Sequence, residues 1–392
     1  MLSLAAALAI DALGSGLLAP FELIYGHQVV GVSLVEAGVA LSVGSLVSVP
    51  LGPIAGALSD RAGARSIAAV ANALGALGCL VLLSAHELIA LSLAALLLGS
   101  SQRVLWAVFT PIVIGVTERT SADVWFGRLR ATRLGSIAAG QALAGAFLVL
   151  GLEAGLRAIV VADAASFVVA GVLLGRGQAA GTRAVAAGAG GYAVALRDGA
   201  NRTLALLNVL ATLLIVAPTL ALPVLALEQL ALPTWLPGLL GALSTGVVGI
   251  GTMFSPRLLR GHRRVRNLQL ASAIWAVGLL GVAFSSTAPR AAIVAALVLS
   301  VVIWSIGESV YAPTADALPA VLAPPHLVGR YAALHQMAWG IAEVIAPTLV
   351  AALLTTGTQT TWLVLAVIAL TTTALYRATE IILRGRDGLV GV

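Results

Sequence analysis

The chain contains no lysine, one cysteine and few charges of either sign. Only 10% of its 392 residues are charged, where a soluble domain carries about 25%. That scarcity excludes an ordinary water-soluble globule, because too few groups are available to solvate its surface. The lone Cys79 lies inside an apolar run, so neither a disulfide framework nor a Cys/His metal spacing is present. Aromatic residues make up only 5%. No cofactor fingerprint, phosphate loop or ATP motif occurs, and His86-Glu87 lacks the second histidine of a His-Glu-x-x-His metal site. An intramembrane acyltransferase or metalloprotease therefore has no visible machinery, and the chain reads as a non-enzyme that needs no cofactor.

What is there is apolar sequence: 60% by the AVILMFWYC count, with 42 glycines besides. Long continuous runs rich in Leu and Ala exclude the alternating short strands of an outer-membrane barrel. At roughly 20 residues per span, twelve helices would use about 240 residues and leave only short connections. Breaking the chain at polar clusters, Pro/Gly turns and arginines gives twelve candidate helices. They cover 2-24, 32-58, 66-85, 88-117, 133-152, 157-175, 203-227, 236-256, 267-287, 291-317, 331-354 and 359-383. Met1 leads almost directly into apolar sequence without a basic n-region, which reads as a first span rather than a removed signal peptide.

The net charge of +6 comes from 22 arginines that sit singly or in small groups between apolar runs. That placement is a membrane-topology signal rather than a nucleic-acid patch. Nineteen fall on one set of connections and the tail, only Arg157 and Arg290 fall on the other, and Arg103 lies within a helix. By the positive-inside rule both termini are cytoplasmic, in a multi-pass protein of the cytoplasmic (inner) membrane. The stretch 176-201, rich in Gly, Ala and Arg, is the longest polar interval and is expected to be a cytoplasmic linker between six-helix bundles at 1-175 and 202-392. Its end, Tyr192 to Arg197, could form a short surface helix. A shift of 202 residues supports the division. It places Pro111 on Pro313, Gly127-Arg128 on Gly329-Arg330, Ala131 on Ala333 and Ala144 on Ala346 without a gap. Two parallel repeats of this kind suit an alternating-access transporter.

The second connection reads Gly56-Ala57-Leu58-Ser59-Asp60-Arg61-Ala62-Gly63-Ala64-Arg65. It resembles the signature of the major facilitator superfamily between its second and third helices: Gly, Leu, Asp-Arg, Gly, then basic residues. Asp11-Ala12-Leu13-Gly14-Ser15-Gly16 with Pro20, Gly307-Glu308 with Pro313, and Gly329-Arg330 ahead of Gly340 and Pro347 are also similar to this superfamily. Within it the chain looks closest to bacterial drug/proton antiporters. Its fifth-helix run, Gly135 to Gln141, keeps the glycine spacing of that group but has no proline. The resemblance implies a secondary transporter whose Asp60 latches the two halves when the cavity faces outward. Gly56, Arg61, Gly63, Arg65, Arg128, Arg130, Gly329 and Arg330 would complete this latch. Gly56 and Gly63 are expected to let the second and third helices approach and turn tightly.

Charges inside a span cost about 2.5 to 3.5 kcal/mol each on insertion scales, so they point to function. Asp11 and Arg103 lie near mid-membrane in helices 1 and 4, and Glu308 lies in helix 10, helices that line the cavity in the superfamily. The expected chemistry is a proton or substrate site, with Asp11 or Glu308 protonated in one state and Arg103 as counter-charge. A structural ion pair is the plainer alternative. Asp163 and Glu343 read as structural, and Glu22, Glu36 and Glu228 as interfacial. Trp106, Phe109, Trp304 and Tyr311 could form an apolar wall, with Asn208 and Thr212 as polar contacts. The function expected is proton-coupled efflux of a small hydrophobic or amphipathic compound, of the multidrug-resistance kind. Proton-coupled uptake of a metabolite is the alternative, and a non-transporting membrane sensor the reading from another class. Expected partners are the small-molecule substrate, protons and the lipid bilayer, with no nucleic acid, the chain acting as a monomer.

Overall fold

The computed structural model describes residues 2-116, 122-176, 192-324 and 327-382. Among these residues every regular element is helical. In chain order the helices are α1 (Leu2–Leu18), α2 (Glu22–Tyr25), α3 (Leu34–Ser48), α4 (Leu51–Ala62), α5 (Ala64–Leu83), α6 (Leu88–Val116), α7 (Ala122–Leu148) and α8 (Leu152–Gly175). Then come α9 (Tyr192–Arg197), α10 (Gly199–Val224), α11 (Leu236–Leu258), α12 (Arg264–Ser285), α13 (Arg290–Leu322), α14 (Val328–Thr356) and α15 (Thr358–Ile382). Eleven spans among the described residues are long and apolar enough to cross a membrane. The remaining long helix, α7, carries Arg128, Arg130, Arg133 and Gln141 within its 27 residues.

Several helix ends depart from the expected ones. α7 begins at Ala122, where a loop up to 132 was expected, and the end of the expected linker is helical as α9 and the start of α10. Charges mark where the bilayer ends, whereas Arg and Ala favour helix on either side of that boundary. The expected single helix 32-58 is broken at Val49 and Pro50 into α3 and α4, as a proline that cannot donate its N–H dictates. α3 opens on a capping box: Glu36 N–H donates to Ser33 Oγ at 3.2 Å, and Ser33 N–H donates to Glu36 Oε2 at 2.8 Å. Glu36 is thus a cap rather than an idle interfacial acid. The first and seventh spans both finish in a single π-type turn, Gly26–Val30 and Leu225–Gln229.

Contacts divide the chain into two compact units. The first holds the described residues of Met1–Ala186 with Leu220–Ala242 and Pro347–Ala352. The second holds those of Ala187–Thr219, Leu243–Ala346 and Leu353–Val392. In the first unit α1 packs on α7 and α8, α5 on α6 and α8, and α3 on α6. Residues from beyond the 176-201 stretch join it through polar bonds: Gln28 Nε2 donates to Glu228 Oε1 at 2.6 Å, and Thr348 Oγ1 donates to Ser42 Oγ at 2.8 Å. Glu228, expected to be an idle interfacial acid, is therefore engaged. In the second unit α12 packs on α13 and α15, with Trp275, Trp362, Tyr311 and Tyr376 fully buried. Ala195 of α9 joins Leu327 and Tyr331 in a small buried cluster at the start of α14. Asp198, just after α9, accepts from the Tyr331 hydroxyl at 3.1 Å and from Ala200 N–H at 3.0 Å. The Tyr192 to Arg197 segment is thereby tied down by its own unit.

Lipid tails are as apolar as leucine, so helix association in a bilayer rests on close packing and small residues. The α1–α7 seam illustrates this. A Cβ on Gly140 would lie 2.1 Å from the Leu13 carbonyl oxygen, and one on Gly16 would lie 2.4 Å from the Ile137 carbonyl oxygen. Gly135, in contrast, has no described atom within 4 Å of such a Cβ. Gly140→Ala is therefore expected to cost about 1–3 kcal/mol through overpacking against rigid backbone. Gly135→Ala should leave the seam unchanged. Thermal unfolding of the two variants in detergent, compared side by side, checks this, and equal melting would contradict it.

Candidate functional site

α1, α6 and α7 bring three of the chain's informative side chains together inside the first unit. Asp11, on α1, is 1% exposed, and neither carboxylate oxygen has a hydrogen-bond partner among the described residues. Arg133 lies on α7, a helix against which α1 packs. The Arg133 guanidinium lies over the Trp106 ring of α6, 4.4 Å from the centroid, in cation–π contact. Trp106 is 50% exposed, and its ring centroid stands 5.4 Å from that of Phe109. One turn earlier on α6, Gln102 Nε2 donates to Ser15 Oγ of α1 at 2.9 Å. The result is a half-exposed aromatic ring with a cation over it, and a buried carboxylate on α1.

Arg103 takes a different place. Its Nε donates to Ser48 Oγ at 2.8 Å, which binds α6 to the end of α3. Arg133, counted above only among the topological arginines, lies on the Trp106 ring. A signal was present, because Arg133 lies seven residues, two helical turns, before Gly140 and so shares the face that meets α1.

The other expected cavity residues belong to the second unit. Tyr311 is 2% exposed, donates its hydroxyl to Asn208 Oδ1, and stacks on Trp275 with centroids 5.0 Å apart. Asn208 Nδ2 donates to the His335 carbonyl at 2.9 Å, and Thr212 Oγ1 contacts the Asn208 carbonyl at 2.8 Å. Trp304 is buried as well, its Nε1 donating to the Leu214 carbonyl at 3.0 Å. Of the four aromatics expected to form a wall, Trp304 and Tyr311 are thus consumed by packing inside their unit. His335 is also buried. Glu308 is half-buried on α13.

In the expected latch, α4 ends at Gly63, whose φ of +83° is the backbone state that favours glycine. Gly56 has no described atom within 4 Å of a would-be Cβ, so no close helix approach occurs there, contrary to the expectation. Arg61 is exposed and Arg65 half-buried, while Arg128 is exposed and lies 5.5 Å from the Trp125 centroid. Arg130 and Gly329 are exposed, and Arg330 is half-buried. The Asp60 side chain lies outside the described residues. Among the described residues no group of three His, Cys, Asp or Glu side chains could hold a metal ion.

An all-helical bundle of apolar spans with charges enclosed between them is the build of a polytopic membrane transporter. Residues 4–300 match the Major Facilitator Superfamily model, and the chain belongs to that family. No curated protein matches it by sequence. Among solved structures it is similar to the nucleoside transporter NupG in a mutant form: TM-score 0.83, 12% identity, covering 96% of this chain and 99% of that one. It is also similar to a peptide transporter POT mutant in complex with sulfate (TM-score 0.77, 15% identity, covering 97% and 95%). A bacterial homologue of the iron transporter ferroportin in an inward-facing state gives 0.76 at 16% identity, covering 98% of each chain. At these identities the likeness is one of fold.

Asn208→Leu would leave the buried Tyr311 hydroxyl without its acceptor and remove the side-chain donor to the His335 carbonyl, which keeps its own helix bond. Within a membrane bundle such a loss is worth about 1 kcal/mol. The variant is expected to melt earlier in detergent, while Thr219→Ala, which removes a bond only to its own helix's Ile215 carbonyl, should not. Equal melting of Asn208→Leu and wild type would contradict the packing role.

Proposed function

We propose that this transporter exports a small hydrophobic or amphipathic compound from the cytoplasm in exchange for protons, by alternating access between its halves. The observation that carries the reading is the Trp106 face, half-exposed and capped by Arg133, in the same unit as a buried Asp11 carboxylate that has no hydrogen-bond partner among the described residues. An aromatic face suits an organic cation or a flat apolar ring. A carboxylate held away from water suits a proton, since the protonated form is the one that burial favours. Glu308 is the second candidate acid, Arg103 remains a candidate cavity cation, and both termini are placed in the cytoplasm of a monomeric inner-membrane protein. Resemblance to drug/proton antiporters supports the outward direction.

Purified protein in proteoliposomes with an imposed pH gradient, supplied with a panel of cationic and neutral amphiphiles, tests the reading. Proton-driven transport of at least one compound is expected. Trp106→Ala should weaken its binding about 10-fold, equivalent to about 1.4 kcal/mol. Asp11→Asn should abolish the pH-driven component while binding survives. Transport that ignores the gradient, or full coupling in Asp11→Asn, would overturn it.

The Gly56 to Arg65 turn serves as a conformational latch in this cycle. A contact made in only one state shifts the equilibrium by its full differential energy. Asp60→Asn is accordingly expected to slow transport and raise the accessibility of single cysteines on the cytoplasmic side. Unchanged accessibility together with normal transport would remove the latch.

A further inference from the structure

Two polar side chains at the end of the first span meet one carboxylate at the end of the seventh. His27 and Gln28 lie in the π-type turn Gly26–Val30, and Glu228 lies in its counterpart, Leu225–Gln229, all within the first unit. Gln28 Nε2 donates to Glu228 Oε1 at 2.6 Å, and His27 Nε2 stands 4.0 Å from the same oxygen. The other ring nitrogen, Nδ1, is 2.8 Å from the Val32 carbonyl. A carbonyl oxygen only accepts, so Nδ1 carries the proton. In the neutral ring Nε2 is then a lone pair facing a carboxylate, and two acceptors give no bond. A second proton, on Nε2, converts that contact into an ion pair. The His27 and Glu228 side chains are 36% and 22% exposed, so water can deliver it.

The turn 26-30 packs against α2, α3, α6 and α8. The charged and titratable groups of those elements at this end are Glu22 and Tyr25 on α2, Glu36 on α3, His86 and Glu87 ahead of α6, and Glu153 with Arg157 on α8. Glu36 is taken by Ser33, and Glu153 pairs with Arg157 at 3.2 Å. Among the described residues only Glu228 brings a charge within 4.0 Å of the His27 ring. The backbone beside it is strained. Ala231, three residues after Glu228, has a φ of +47°, a left-handed state that disfavours a residue with a Cβ. Gly31, just after the first turn, takes the same state at φ +83° without that penalty. Strain of this kind clusters at clamps and switches, and so do single π-type turns at functional sites.

We infer that the two turns form a proton-operated clasp. Protonation of His27 ties the first span to the seventh through Glu228, and deprotonation leaves the Gln28 bond alone. The two protonation states differ by one charge-assisted contact, and a differential contact is what moves a conformational equilibrium. Acid therefore favours the clasped arrangement and alkali loosens it. With both termini in the cytoplasm, as proposed above, this end of the spans faces outside. External acid then brakes the carrier by holding the two span ends together, even while it supplies the protons that drive export. The clasp itself is independent of that placement, and its effect on transport rests on it.

Spin labels on Val35→Cys and Pro233→Cys, at two exposed positions beyond the turns, read the clasp as a distance in the full-length protein with Cys79→Ala. The protein is held in nanodiscs and taken from about pH 8 to about pH 5, the range in which histidine changes charge. His27 and Glu228 intact, the ratio of short to long distances is expected to rise about 2- to 5-fold, as a partly exposed ion pair supplies. His27→Gln and Glu228→Gln should each abolish the rise. His27→Arg, whose charge is fixed, should keep the short distance throughout. Should a variant fail to fold, NMR of isotope-labelled histidine in wild type identifies the protonated nitrogen directly, with His27 assigned by elimination among the five histidines. A proton on Nε2 rather than Nδ1 at high pH would overturn the clasp. So would a distance that ignores pH, or an unchanged response in His27→Gln. In proteoliposomes external acid is expected to slow transport, and His27→Gln to relieve the slowing. A clasp that answers to pH while transport does not slow, or slows from the opposite face, would count against the export reading or the placement of the termini and not against the clasp.

Discussion

Everything in the first unit depends on how closely α1 lies between α7 and α8. Gly16 and Gly140 bring the backbones of α1 and α7 to within the reach of a single methyl group, and Gly14 does the same for α1 and the side chains of α8. In lipid no hydrophobic gain rewards helix contact as such, so dispersion at short range and hydrogen bonds must supply the association. Small residues give that proximity, and with it they exclude water from whatever else shares the seam. Asp11 shares it. The dryness of its carboxylate is a consequence of glycine placement one turn away rather than of a pocket built around it.

Once water is excluded, the disposition of Arg133 decides what the carboxylate can do. A guanidinium hydrogen-bonded to Asp11 would fix an ion pair and hold the acid ionised. Here the guanidinium lies on the Trp106 ring, and the Asp11 carboxylate has no hydrogen-bond partner among the described residues. That arrangement leaves Arg133 two possible partners, a ring and a carboxylate, and an occupant of the ring face competes for one of them. Coupling between substrate and proton needs such a differential contact, since a ligand with no preference between states shifts nothing.

The sequence made depth along each helix readable but not direction around it. Apolar runs located the spans, and the Gly56 to Arg65 motif pointed to the family. Asp11 was legible because a charge at mid-span is costly wherever it points. Arg133 was not, because arginines near helix ends serve topology equally well, and only its two-turn spacing from Gly140 placed it toward α1. The burial of Trp304 and Tyr311 was not legible for a related reason. In spans that are apolar all round, the periodicity that separates a buried face from an open one is weak, so a tryptophan near a carboxylate gives no sign of whether it packs inward. Asp163 was assigned to structure by its depth in α8; a Cβ on Gly14 of α1 would lie 2.2 Å from its Oδ1, a juxtaposition that arises only from tertiary packing.

A comparison within the chain separates what packing requires from what chemistry requires. The spans that correspond to α1 and α8 in the second half, α10 and α15, do the same structural work with different residues. α10 contains no acid, and α15 contains only Glu380, close to its end. Their interiors are filled by residues such as Leu213, Leu214 and Leu365, all buried. A bundle of this design therefore packs without carboxylates in these two spans, and leucine fills the space at no desolvation cost. Two buried acids in the first half, one of them admitted only through a glycine slot, lower its stability relative to that alternative. Destabilising groups held in place by specific packing are found where a site is needed, and these two spans carry theirs only in the first half.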